Sequence, residues 1–168
     1  MGRRQIVALR WTKSQDIRGN MKLKFPIEPG ARIMAIDPGG TCGFATCGPD
    51  MSDNKAFQKK FALHDQFLQE LNEFYPDILV MEKFLVTHRD KADYTAIEYI
   101  GLGRWFAERR RIPFILQSPS MGKGYFTNDK LKRLNVYLPG RPHAMDAMRH
   151  LYQFMVRNEL FDLTLLKE

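Results

Sequence analysis

The chain has 168 residues, enough for one ordinary domain with a proper core, and at 44% hydrophobic and 12% aromatic it is not a disordered composition. No apolar run is long enough to span a membrane as a helix. The formal charge of +7 is unevenly spread: seven Lys and Arg stand against Asp16 and Glu28 in residues 1–30, and six stand against Asp129 and Asp146 in residues 118–150. Two basic zones on a small domain suit a polyanionic partner.

Residues 1–30 lack clear periodicity and end in Pro26-Ile27-Glu28-Pro29-Gly30. They read as a basic N-terminal arm preceding a domain over residues 31–168. The arm has no apolar core after its basic start, unlike a secretory signal. From Arg32 to Cys47, two short apolar runs flank Asp37-Pro38-Gly39-Gly40, the signature of a β-hairpin with an acid at its turn. Cys42 and Cys47 share the second strand, roughly 16 Å apart and on opposite faces, beyond disulfide reach. Free thiols suit a reducing compartment, so a cytoplasmic protein is expected.

After a polar loop with Asp50, Ser52, Asp53 and Asn54, a third strand is expected near Ala56–Ala62. A helix should follow from His64 to Phe74, with Phe67, Leu68, Leu71 and Phe74 on one face. Pro76 stops it. Asp77 to Glu82 is a short, fully apolar run ending in an acid, and apolarity on both faces marks a central strand. A polar loop (Thr87 to Lys91) and a long helix (Ala92 to Arg111) come next; Gly101 and Gly103 let that helix lie close on a sheet. Pro113 to Gln117 reads as another buried strand and Ser118 to Gly124 as a loop. Thr127 N-caps a short basic helix running to Leu134. A last helix covers His143 to Val156. The order β-β-β-α-β-α-β-α, around a mixed five-stranded sheet whose first three strands are antiparallel, predicts an α/β ribonuclease-H-like fold.

Asp37 and Glu82 each end a strand, and His143 and Asp146 stand three apart in the first turn of the last helix, hence on one face. Ala144, Met148, Leu151 and Met155 form its opposite, apolar face. If the two strands are parallel neighbours, the acids meet at the edge where open α/β sheets bind ligands. Converging carboxylates repel one another unless cations intervene, and an oxygen-rich site suits Mg²⁺ or Mn²⁺. Two such ions per site could activate water and stabilise the leaving oxygen of a phosphodiester. Singly, each acid also has an ordinary explanation: Asp37 as a turn former, Glu82 as a strand-end charge, Asp146 as an acid favoured by the helix dipole.

Ile36-Asp37-Pro38-Gly39, Val80-Met81-Glu82-Lys83-Phe84 and His143-Ala144-Met145-Asp146-Ala147 resemble, in order and spacing, the motifs of the RuvC family of Holliday-junction resolvases. Gly140-Arg141-Pro142-His143 is similar to the context found in its bacteriophage branch. The resemblance spans residues 32–157. It implies a homodimer that nicks two opposed strands of a four-way DNA junction with divalent metal, in the host cytoplasm if phage-encoded. Asp37, Glu82 and Asp146 match the catalytic and metal-binding acids. His143 falls where many members carry a fourth acid and some a histidine. Because imidazole must be neutral to bind metal and favours softer ions, Mn²⁺ should serve at least as well as Mg²⁺. Activity should fall as pH drops through about 6.5, where a histidine ordinarily takes up a proton.

The resemblance also implies DNA contacts. Phe84 lies near the family's base-stacking aromatic, which usually sits one residue further on, where this chain has Leu85; a core role for Phe84 is the alternative. Lys123, Lys130 and Lys132 match lysines that contact the scissile strand, and Arg141 joins the same basic zone. His150, one turn past Asp146, reads as a packing histidine or a support for the acids. Trp105, with Arg104 and Arg109 to Arg111, should pack on the sheet or on a dimer partner.

Three rival functions stay open. One is a broader branched-DNA or flap endonuclease. Another is a non-catalytic DNA-binding module, which needs no convergent acids. The third is a sugar kinase or actin-like ATPase, since Asp37-Pro38-Gly39-Gly40-Thr41 is similar to their first phosphate-binding turn, but those need a second such domain for which 168 residues leave no room.

Overall fold

A computed structural model describes residues 14–15, 21–22, 27–28, 30–48, 54–84 and 94–161. Ile33–Asp37 (β3) runs antiparallel to Cys42–Cys47 (β4), with Asp37 opposite Gly43. Asn54–Lys59 (β5) adds antiparallel to β4. Ile78–Glu82 (β6) joins the other side of β3 in parallel, and Phe114–Gln117 (β7) joins β6 in parallel. The sheet order is therefore β5-β4-β3-β6-β7. This is the mixed sheet the sequence predicts. Two short segments before it, Ser14–Gln15 (β1) and Met21–Lys22 (β2), pair antiparallel; the rest of the expected arm lies outside the described residues, apart from Ile27, Glu28 and Gly30.

Strand alternation divides the core. Ile33, Ala35, Ile78 and Val80 face the last helix, Pro142–Arg157 (α5), whose Ala144, Met148, Leu151 and Met155 are buried against them. Met34, Ile36, Leu79 and Met81 face the opposite side, where His64–Phe74 (α1) and Thr95–Arg110 (α2) supply Phe67, Leu71, Tyr99 and Phe106. The parallel strands start in step because the Asp77 carboxylate accepts the Arg32 backbone N–H at 2.9 Å. Cys42 and Cys47 are buried and sit in different clusters as their odd spacing requires.

Two glycines fix how helices dock. A Cβ on Gly43 would overlap the backbone carbonyl of His143, so this position on β4 admits the start of α5 directly onto the sheet. A Cβ on Gly103 would collide with Met81 Sδ, which lets α2 approach β6 as the sequence suggests.

Three expectations need correction. The third strand begins at Asn54, two residues before Ala56, because β4 pairs through Cys47. The Ser118–Gly124 loop is mostly helix, Pro119–Tyr125 (α3). Pro119 starts it with a preset φ, and Gly122 packs on Arg149 and His150 of α5, so tertiary contact outweighs two helix-breaking glycines. β7 is an edge strand, with Phe114 to Leu116 half-buried rather than enclosed. The short basic helix is Asn128–Arg133 (α4), and Thr127 Oγ1 accepts the Lys130 N–H at its start. No helix among the described residues is long and apolar enough to cross a membrane.

Candidate active site

The same alternation that builds the α5-facing core sets its polar rim. Asp37 follows Ala35, Glu82 follows Val80 and Gln117 follows Ile115, so all three strand-end side chains stand on the α5 side. Ile36 pairs with Met81 in parallel register, placing Asp37 and Glu82 at the next step of adjacent strands; Glu82 in turn pairs with Gln117. α5 supplies the opposing wall: His143 and Asp146 in its first turns, and His150 two turns beyond His143.

Contacts join the two walls. His143 Nδ1 is 2.9 Å from Asp37 Oδ2. His150 Nε2 is 2.6 Å from Glu82 Oε2, and its Nδ1 is 2.8 Å from Gln117 Oε1. His150 and Gln117 are only 1% and 2% exposed, so this is an interior network with one end at the rim. Asp146 bonds to the Arg149 guanidinium, which also reaches Asn128 Oδ1 and donates through Nε to the Phe126 carbonyl at 2.9 Å. Arg149 thereby ties Asp146 to the start of α4.

Electrostatics agree with the crowding. Burial pushes the Asp37 carboxyl up to about 6, the His143 hydrogen bond opposes that rise, and the charges of Glu82 and Asp146 add to it. Asp37 therefore senses both other acids. Burial also raises the Cys42 thiol to about 11, leaving it inert beside the turn.

Carboxylate oxygens and an imidazole are the donor types that Mg²⁺ or Mn²⁺ accepts. Among the described residues, however, no three His, Cys, Asp or Glu side chains are gathered as a ligand set for one ion. Each acid is turned toward its own partner: Asp37 to His143, Glu82 to His150, Asp146 to Arg149. The donor chemistry fits a divalent cation, and gathering three of these groups around one ion requires side chains to turn, Asp146 from Arg149 among them.

The expected DNA-contacting residues are more dispersed. Phe84 is half-buried, and Leu85 and the polar loop Thr87 to Lys91 lie outside the described residues. Lys123 is on α3, its side chain likewise outside them. Lys130 Nζ donates to the Tyr125 carbonyl at 2.9 Å and sits 3.8 Å from that ring's centroid. Lys132 pairs weakly with Asp129 one turn away, and Arg141 is exposed immediately before α5. Trp105 is half-exposed with Arg109 over its ring, and it does not pack on the sheet. Sequence reasoning missed Gln117 and Arg149. The signal for Gln117 was its place at a strand end, level with Asp37 and Glu82.

No protein-family description matches the sequence, and no curated protein matches it. Solved structures do. The chain resembles T. thermophilus RuvC in complex with a Holliday junction substrate, at 16% identity and a TM-score of 0.59, over 77% of this chain and 97% of that one. A second T. thermophilus RuvC structure matches at 17% identity and a TM-score of 0.57, with the same coverage. The yeast mitochondrial Holliday junction resolvase Ydc2 matches at 15% identity and 0.52, over 84% and 82%. At such identities the likeness establishes the fold: a ribonuclease-H-like mixed sheet flanked by helices.

Proposed function

We propose that this chain is a metal-dependent, structure-selective endodeoxyribonuclease that resolves four-way DNA junctions by paired nicks. The observation that carries this reading is the shared sheet edge: Asp37 and Glu82 on adjacent parallel strands, faced by His143 and Asp146 from α5. Its support is the fold held in common with proteins solved as Holliday junction resolvases. The motif resemblance to the RuvC family, including its bacteriophage branch, points the same way.

Asp37, Glu82, His143 and Asp146 would hold Mg²⁺ or Mn²⁺, two ions per site. When bound, such a pair supplies an activated water and stabilises the leaving oxygen of the phosphodiester. The protein's own contribution is to pack the acids against one another so that a cation relieves their repulsion. Gly43 keeps α5 close enough for His143 to steady Asp37. Phe84, Lys123, Lys130, Lys132 and Arg141 would contact DNA, and the basic arm over residues 1–30 would add phosphate contacts. The reading includes a homodimer, because opposed nicks need two sites. α2 offers a face for the second copy: Ile97 and Trp105 are 42% and 51% exposed, and Gly101 between them leaves open space.

The test is purified protein with labelled four-way junction, replication fork, flap and linear duplex, each with and without Mn²⁺. Paired symmetric nicks on the junction support the proposal, and comparable cutting of forks and flaps moves it to a broader branched-DNA nuclease. A non-catalytic DNA-binding module is the reading from another class, favoured by the partners that already engage each acid. Cleavage that disappears in Asp146→Asn while junction binding persists excludes it.

A further inference from the structure

Gln117 and His150 form a chain of contacts that ends on Glu82, and neither residue is accounted for by the proposed chemistry. Gln117 closes β7 in register with Glu82, and His150 reaches both from α5. Burying two polar side chains this deeply is costly unless each finds a partner, and here each does. An apolar pair of similar size would fill the same space without that requirement.

His150 meets the Gln117 amide through Nδ1 and Glu82 through Nε2. If the Gln117 amide nitrogen donates to His150 Nδ1, the ring hydrogen sits on Nε2. With the amide nitrogen turned to Nδ1, the neutral ring spans Gln117 and Glu82 and satisfies all three side chains at once. In that arrangement Nε2–H donates to Glu82 Oε2 at 2.6 Å. That contact engages Oε2, which leaves Oε1 of the carboxylate for a cation. Gly122 closes the back of the ring, since a Cβ there would lie 3.3 Å from His150 Cε1.

We propose that Gln117 and His150 are positioning residues that brace Glu82 and orient its free oxygen for the divalent cation. This rests on the reading of Glu82 as a metal ligand. Outer hydrogen bonds to ligating carboxylates commonly alter metal affinity by about 10- to 100-fold. The brace also links β7, outside the pair of acid-bearing strands, to the site.

The test is Mn²⁺ titration calorimetry on the full chain without DNA, comparing wild type with Gln117→Met, alongside junction binding in Ca²⁺. The expected result is Mn²⁺ affinity about tenfold weaker in Gln117→Met, unchanged junction binding, and cleavage recovered at raised Mn²⁺. A variant that loses melting temperature but binds Mn²⁺ as wild type does overturns the proposal and leaves the pair as packing alone. A second measurement needs no substitution: in wild type, the His150 Nε2 resonance should move as Mg²⁺ saturates the site. A stationary resonance at saturation also overturns it. Failure of the nuclease reading looks different: wild type itself binds no Mn²⁺ and leaves the junction intact, and the brace falls with it.

Discussion

His143 Nδ1 stands 2.9 Å from Asp37 Oδ2, joining the first turn of α5 to the end of β3 across 106 residues of sequence. Asp37 is nonetheless held at about 6, because burial and the charges of Glu82 and Asp146 outweigh that hydrogen bond. The carboxyl therefore binds its proton more tightly in the folded chain than in the unfolded one. Folding stability should be greatest below about pH 4 for this group and decline as pH rises to about 6.

Asp37→Asn removes that cost. At pH 7.5 and without metal, the variant should be more stable than wild type by on the order of 2 kcal/mol, with the gap closing at pH 4. Urea denaturation at the two pH values measures it. An equal difference at both would show that Asp37 is not strained by ionisation. The same shift bears on activity: a metal site needs ionised Asp37, so cleavage should fall as pH drops through about 6. The fall should persist and move to higher pH in His143→Asp, which loses the hydrogen bond that holds the carboxyl down. Loss of activity at low pH consequently does not by itself assign a role to His143.

Gly43→Ala tests how the two walls meet. The added methyl overlaps the His143 carbonyl, which is backbone and cannot swing aside. We expect a loss of about 2–4 kcal/mol in urea denaturation and a weakened response of melting temperature to Mn²⁺. Wild-type values for both would mean that α5 is not anchored at this point.

Arg149→Met leaves Asp146 without its guanidinium and cuts the tie to Asn128 and the Phe126 carbonyl. Removing one partner of a mostly buried pair should lower stability by about 2–4 kcal/mol. Mn²⁺ should restore part of that loss, since a divalent ion can take over the charge. Thermal melts with and without the metal give both numbers, and no restoration would argue against Asp146 as a ligand.

Lys132 is exposed, and its ion pair with Asp129 is weak. Lys132→Ala should therefore reduce the slope of log K against log salt for junction binding by about one, without altering strand preference. Deleting residues 1–30 should flatten the slope further. An unchanged slope after the deletion would remove the arm from the interface.

Much of this architecture was legible because periodicity carried it. The hairpin around Asp37-Pro38-Gly39-Gly40, the Phe67 and Leu71 face of α1 and the apolar face of α5 all follow local pattern. α3 did not, because Pro119, Gly122 and Gly124 read as a loop until α5 supplies the surface that holds them. Among the candidate site residues, strand-end position pointed to Asp37 and Glu82. The same rule applied to Gln117, but a neutral amide, unlike a carboxylate, carries no charge to mark it. Pairings such as Gln117 with His150, 33 residues apart, or Arg149 with Asn128, 21 apart, depend on how α3, α4 and α5 pack. No local spacing encodes them.

The central claim is that Asp37 and Glu82 share a divalent cation with the first turns of α5. Anomalous diffraction at the manganese edge, on crystals soaked in MnCl₂, addresses it directly. The account predicts a peak between the Asp37 and Glu82 carboxylates, with Asp146 turned from Arg149 toward it. Density that leaves all three acids on His143, His150 and Arg149, with no manganese between them, would contradict it.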